Sequence, residues 1–401
     1  MSISPLKVVV CGGGNGAHVF STLASTRADT HVSVLTIFED EAERWTQTMK
    51  SDMVVSFPAE SIQLKSKPSL ITKDPAVVIP EADVIVIVVP SYAHGPVLQA
   101  ILPYCRPNTF IVGMPGHPGL DFQFTHIFGS KAKQCTLAVL ETLPWACRII
   151  EFGAHAQVLG IKEKVGTALV QGESCNIPFD CISTLQLLIG DKPRLNVVQN
   201  SLVVNLMAKT MIHPPIMYVK WRNWNGKPLT EKPLFYQGMD DAQADLLTQI
   251  SEEVLLISQT IKNKTSLDIS PITHIQDWIK EYYADQVKDG SSLKRAFQTN
   301  EAYNGLVHPM KDAEGGGYVP DFSYRYTRED IPFGLVVLKG IAVIVNVPTP
   351  AMDTVISWAQ ERLGMEYIVG SELRGRDLSQ TRAPQVFGIH TVEQLLLPGQ
   401  C

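Results

Sequence analysis

Apolar positions follow one rhythm in the first half of this chain and another in the second. Early on, short apolar runs of strand length alternate with stretches of helical spacing. They fall at residues 7–11, a helix from near Ala17, residues 32–37, a helix through the stretch that ends at Trp45, and residues 82–89. Further runs follow at 109–113, 135–140 and 157–161, with a helical segment after Tyr92. That order predicts parallel strands joined by crossover helices, and hence a doubly wound, mostly parallel sheet. Residues 84–89 are apolar without alternation, the pattern of a central parallel strand covered on both faces. From Leu195 the rhythm lengthens to helical periodicity over 243–261 and 271–286, broken by loops rich in Pro, Gly and Asn such as 223–233. The turn signal Gly190-Asp191-Lys192-Pro193 separates the two regimes. The boundary is therefore expected at Pro193, with an α/β domain over 1–193 and a mainly α-helical one over 194–401.

Composition narrows the function classes. A chain of 401 residues, 45% hydrophobic and 18% charged, can bury two ordinary cores. A net charge of −6 with no basic stripe excludes a nucleic-acid partner. The longest apolar runs, 84–89 and 341–345, are too short to span a bilayer, and the N-terminus enters a strand-like run without a secretory signal. A cytoplasmic location is expected. Seven cysteines (Cys11, Cys105, Cys135, Cys147, Cys175, Cys181 and Cys401) contain no CxxC pair, so free thiols are expected, with neither a disulfide framework nor a metal site. Gly315-Gly316-Gly317 reads as a flexible loop with hinge freedom.

The first strand runs into Gly12-Gly13-Gly14-Asn15-Gly16-Ala17, which holds Gly12-x-Gly14-x-x-Ala17 between a predicted strand and a predicted helix. That context is what a dinucleotide fingerprint needs. Gly12 permits the tight turn, Gly14 lets backbone reach a pyrophosphate, and Ala17 lets helix and strand pack closely. Asn15 and Gly16 complete the loop, and Thr36 stands at the end of the second strand as a further cofactor contact. Glu39 and Asp40 follow that strand late and read as helix-start carboxylates. No Arg stands there to receive a 2′-phosphate, which favours NAD(H) over NADP(H). The first domain is thus of Rossmann type.

Hydride transfer to a carbonyl or imine also needs a group that exchanges protons near neutral pH, and ten histidines compete for that role. Seven stretches decide among them: CGGGNGAH, FEDEAERW, ETLPWACRI, HPPI, PLFYQG, GLVHP and PDFSYRYTREDIPFG. Read together, and in this order, they resemble the marine invertebrate opine dehydrogenases over nearly the whole chain. The resemblance implies a dinucleotide domain, then a helical opine dehydrogenase domain, with the active site in the cleft between them. It places the catalytic histidine on His213 and its carboxylate partner on Asp330. Such a carboxylate fixes the tautomer of the imidazole and raises the basicity of its other nitrogen. It also places a pyrophosphate-binding arginine on Arg325, and substrate contacts on Glu141, Thr142 and Met207. His117 stands where octopine-forming members carry glutamine.

The reaction so implied is a reversible, NADH-dependent condensation of pyruvate with an amino compound, regenerating NAD+ in anaerobic glycolysis by a monomeric enzyme. His117 offers a positive charge to a sulfonate, which puts taurine ahead of L-arginine, for which Glu141 would supply the carboxylate. Alanine, glycine and β-alanine stay open. Two alternatives remain: a keto-acid reductase that needs no amine, and a non-catalytic NAD-binding paralogue.

Overall fold

The computed structural model describes residues 5–396, so Cys401 and the start of the chain lie outside the described residues. The chain divides between Val204 and Asn205 into two compact units.

The first unit holds β1 (Leu6–Cys11), α1 (Asn15–Ser25), β2 (Thr30–Leu35), α2 (Glu41–Thr48), β3 (Met53–Phe57), β4 (Ile62–Ser66) and β5 (Leu70–Thr72). There follow α3 (Pro75–Val78), β6 (Val84–Ile87), α4 (Ser91–Ile101), β7 (Phe110–Gly113), α5 (Leu120–Phe128) and β8 (Thr136–Leu140). β9 (Trp145–Glu151), β10 (His155–Ile161), β11 (Lys164–Gln171), α6 (Cys181–Ile189), β12 (Arg194–Val197) and the start of α7 (Ser201–Met207) complete it. β12 follows Pro193 yet is an edge strand of this unit's sheet.

The main sheet has the order β12-β11-β8-β7-β6-β1-β2-β5. From β5 to β8 every neighbouring pair is parallel, as the strand–helix alternation predicts. Connections reverse direction between β1 and β6, the switch point at whose carboxyl edge such sheets bind ligands. Val10, Val34, Val86, Val112 and Leu140, one from each of five strands, are fully buried. Each such side chain contributes about 1.5–3 kcal/mol by leaving water.

One expected strand belongs elsewhere. The 157–161 run lies in β10, which joins a second sheet of order β4-β3-β10-β9, antiparallel to β9 and parallel to β3. Its exposed and half-buried positions leave it without the two-sided burial that a central parallel strand needs.

The second unit is mainly helical: α8 (His213–Trp221), α9 (Asp241–Lys264), α10 (Ile275–Tyr282), α11 (Leu293–Gln298), α12 (Arg325–Arg328), α13 (Val336–Val345), α14 (Pro350–Leu363) and α15 (Val392–Leu396). α9 is the axis, fixed at its start by a reciprocal cap between Asp240 and Gln243. Its buried Glu253 accepts from the amides of Ala351 and Met352 at 2.7 and 3.0 Å and so caps α14. α10 is shorter than the 271–286 periodicity suggests, because His274 caps it through its own ring nitrogen. The tandem glycines form the turn of a hairpin between β13 (Met310–Asp312) and β14 (Tyr318–Pro320). All three have positive φ, and the turn is closed by bonds between Ala313 and Gly316 and Gly317, so the expected hinge is a fixed turn.

Candidate active site

In the first unit, β1 delivers the chain into the glycine loop beside the end of β6. Gly12 has φ +134°, and a Cβ there would lie 2.4 Å from the Val88 carbonyl oxygen. Any side chain at this position would push the loop off β6. Gly14 is the residue before α1, has no side chain to cap the first-turn amides, and faces open space. Loop and helix start therefore offer backbone donors and a positive dipole end to an anion, as a pyrophosphate requires. Gly16 and Ala17 are buried in the first turn, and Asn15 accepts from the Ile149 amide at 2.9 Å, tying the loop to β9.

His18 holds the loop from behind. Its Nδ1–H donates to the Gly14 carbonyl at 3.0 Å, its Nε2 accepts from the Gly153 amide at 2.9 Å, and its ring stacks on Trp45 at 3.8 Å. Burial pushes this imidazole down to about 4, so it stays neutral and keeps both bonds.

Thr36, buried at the end of β2, donates its hydroxyl to the carboxylate of Glu41. That carboxylate lies against the loop, 2.3 Å from where a Cβ on Gly13 would sit. It is the acidic group that could take a ribose hydroxyl, supplied by the first turn of α2 rather than by the strand end. Asp40 instead pairs with Arg44 at 2.8 Å on the exposed side.

His117 follows β7 with φ +53°, a left-handed backbone that costs a non-glycine residue roughly 1–3 kcal/mol and clusters at ligand sites. The turn is pinned by the Gly116 amide on the Leu140 carbonyl at 2.7 Å. Glu141, at the end of β8, is buried and its Oε1 accepts from the Gly166 amide of β11 at 3.2 Å. Neither it nor half-buried Thr142 caps a helix, because β9 follows.

In the second unit, His213 and Asp330 meet across 117 residues: Nδ1–H donates to Oδ2 at 2.5 Å. His213 opens α8, where Pro214 and Pro215 are tolerated because first-turn amides lack helical partners. Asp330 precedes a π turn over Ile331–Leu335, closed by the Leu335 amide on the Asp330 carbonyl at 2.9 Å. Pro332, which has no N–H, removes the ordinary helical bond there. Gly334 lets this turn approach the segment before His213, since a Cβ on it would stand 2.6 Å from Thr210 Cβ. That close approach brings the carboxylate to the imidazole.

Two tyrosines complete the setting. The Tyr326 ring lies flat on the His213 ring, 3.8 Å away at 7°, and the Tyr236 hydroxyl bonds Nε2 at 2.7 Å. Burial, and the Arg325 guanidinium next, push the His213 imidazole well below its ordinary range, with Glu329 opposing. It is therefore neutral at pH 7, Nδ1 protonated toward Asp330 and Nε2 a base. Arg325 opens α12 on the exposed side, and Met207 is buried at the end of α7. Sequence reasoning missed Tyr236, Tyr326 and Glu41. Each sits inside a quoted block, but no spacing signals that a tyrosine will face a histidine or that a helix-borne carboxylate will reach a loop.

A family model for the α-helical domain of NAD/NADP octopine/nopaline dehydrogenases matches residues 197–363. An opine dehydrogenase of Haliotis discus hannai is 48% identical over 98% of both chains. The chain belongs to the opine dehydrogenase family. As a member it is an NAD-dependent oxidoreductase. A tauropine dehydrogenase of Arabella iricolor is 41% identical over 97% of this chain and 99% of its own. An octopine dehydrogenase solved with NADH and L-arginine superposes with a TM-score of 0.90 at 42% identity, covering 98% of each chain. The same enzyme has been solved with NADH and pyruvate.

The way this opine dehydrogenase holds His213 and His18 can be tested at each. Gly334→Ala should separate the dyad and slow turnover about 100-fold, read by steady-state kinetics on folded protein, since misplacing catalytic groups by about 1 Å costs that much. His18 has a folded value below its unfolded one, so its stability is complete above pH 6.5 and is lost as pH falls toward about 4. The urea midpoint should drop over that window, with a shallower slope in His18→Gln; an unchanged slope would count against this role.

Proposed function

We propose that the protein catalyses the NADH-dependent reductive condensation of pyruvate with an amino compound, taurine ahead of L-arginine. The observation that carries this reading is the His213–Asp330 pair, in which the carboxylate takes the Nδ1 proton and leaves Nε2 as the accepting nitrogen. Such a group accepts the proton a substrate ammonium must lose before its nitrogen can add to the keto carbon. The same proton can then leave with the hydroxyl as water, giving an imine. When bound, the reduced nicotinamide supplies the hydride that reduces the imine carbon. The glycine loop, Gly12 to Ala17, would hold the pyrophosphate with Arg325, and Thr36 with Glu41 the adenosine ribose. A carboxylate at that place repels a 2′-phosphate, which supports NADH over NADPH.

Pyruvate and L-arginine are ligands of the related octopine dehydrogenase, and the tauropine dehydrogenase relative makes a sulfonate equally at home in the family. One feature favours taurine here. His117, held in a left-handed backbone after β7, offers a ring N–H to a sulfonate where octopine-forming members carry glutamine, while Glu141 keeps L-arginine second because its carboxylate can take a guanidinium. Thr142 and the backbone of Met207 complete the substrate set in this reading. The enzyme would work as a cytoplasmic monomer that restores NAD+ in anaerobic glycolysis.

NADH oxidation measured with pyruvate and taurine, L-arginine, L-alanine, glycine or β-alanine in turn should be silent without an amine and fastest with taurine. Oxidation with pyruvate alone would point to a keto-acid reductase, and none with any amine to a non-catalytic NAD-binding protein; either ends the proposal. His213→Gln and Asp330→Asn should each lower kcat by about 100-fold or more, with NADH affinity little changed by fluorescence titration.

A further inference from the structure

Both nitrogens of His213 are engaged by side chains. Nδ1–H is given to Asp330 at 2.5 Å, and Nε2, the basic nitrogen, receives the Tyr236 hydroxyl at 2.7 Å. One ring face is covered by Tyr326, stacked at 3.8 Å. The imidazole is 19% exposed, yet its basic lone pair faces a phenol. A proton that reaches His213 at this nitrogen has to pass that hydroxyl or displace it.

Tyr236 is not placed to swing aside easily. It is only 7% exposed, its ring stacks on Tyr303 at 4.1 Å and on Phe297 at 6.0 Å, and Phe235 packs edge-on at 4.8 Å. Burial comes first among the causes that hold its phenol far above the ordinary tyrosine range, followed by the neighbouring Tyr326 and Tyr303 hydroxyls. A phenolate is therefore never a resting species here. The Tyr236 hydroxyl also hydrogen-bonds Tyr326, and a fixed neutral hydroxyl with two oxygen lone pairs, set between a base and a second phenol, is the arrangement of a relay.

We infer that Tyr236 is a third member of the catalytic group, the hydroxyl through which His213 exchanges its proton with the reacting amine and carbinol. The inference rests on the proposed condensation and on His213 as its base. In the forward step the ammonium proton moves to the Tyr236 oxygen as the Tyr236 proton moves to Nε2. Tyr236 ends neutral, and His213 ends as an imidazolium paired with the Asp330 carboxylate. On loss of water both protons retrace their paths, and the carbinol oxygen leaves protonated. No electron pair leaves the protein and no co-reactant is needed. Among the described residues, Arg325 and Glu329 act on His213, and Tyr326, Tyr303 and Tyr283 on Tyr236.

Tyr236→Phe tests this with the ring and its stacking kept. The expected result is a kcat about 10-fold to 100-fold lower at unchanged NADH affinity, the range expected when one proton-transfer group is lost. The acid limb of the kcat/KM profile should also rise, because in the resting enzyme the hydroxyl donates to the neutral imidazole and the phenylalanine removes that bond. Wild-type turnover and profile in the variant would overturn the relay. A slower variant with an unmoved limb would also overturn it, since that is what a packing defect does. Should the variant not fold, single turnovers of the unaltered enzyme in H2O–D2O mixtures decide. A bowed dependence, two protons in flight, supports the relay, and a straight one refutes it. Wild-type enzyme that shows no amine-dependent NADH oxidation at all would instead remove the underlying reading.

Discussion

An imidazole can be buried cheaply only when it is neutral and both of its nitrogens are satisfied, and the loop around His18 and the packing around His213 are each arranged to meet that condition. In the second unit the partners of His213 come from segments far apart in sequence: Asp330 from a π turn, Tyr236 from the loop before α9, and Tyr326 from α12. For these to converge, the π turn has to pack against the short segment before α8, and Gly334 against Thr210 is where that packing is decided. Tertiary packing thus sets the protonation state of the imidazole, and the protonation state sets what it can do.

His18, one of several buried histidines, shows the same physics put to a different end. His18 has no accessible surface and bonds only to backbone, at Gly14 and Gly153, whereas His213 is partly exposed and bonds only to side chains. Backbone partners cannot change their charge, so His18 is a fixed brace. A carboxylate and a phenol can share protons with a ring, so His213 sits in a chain along which charge can move. That difference, rather than burial or a lowered pKa, separates the structural histidine from the candidate catalytic one.

Most of the parallel sheet was legible because its strands are apolar on both faces, and the glycine loop because only glycine fits Gly12 against Val88. β9 and β10 were harder to place: strands exposed on one side give no clue to which sheet they join. The His213–Asp330 pair was readable only through the resemblance, since no local rule links residues 117 apart. Tyr236 and Tyr326 carried no periodic signal. Glu41 was hidden by the usual expectation that the ribose carboxylate ends the second strand, and here Thr36 takes that place and holds Glu41 from it. The glycine triplet misled because glycine marks both mobile loops and tight turns, and the ladder between Met310–Asp312 and Tyr318–Pro320 makes this one a turn.

The bracing of the glycine loop has a thermodynamic corollary. The Gly153 amide that His18 accepts lies in the turn between β9 and β10, and Asn15 takes the amide of Ile149 in β9. These strands belong to the small sheet, outside the parallel array that carries the glycine loop. If the loop holds the dinucleotide as proposed, its occupancy and the integrity of that peripheral hairpin are linked functions: whatever loosens the hairpin weakens the grip, and the ligand must tighten the hairpin by the same free energy. A sheet that touches no reacting atom becomes a place where affinity can be tuned without altering the chemistry.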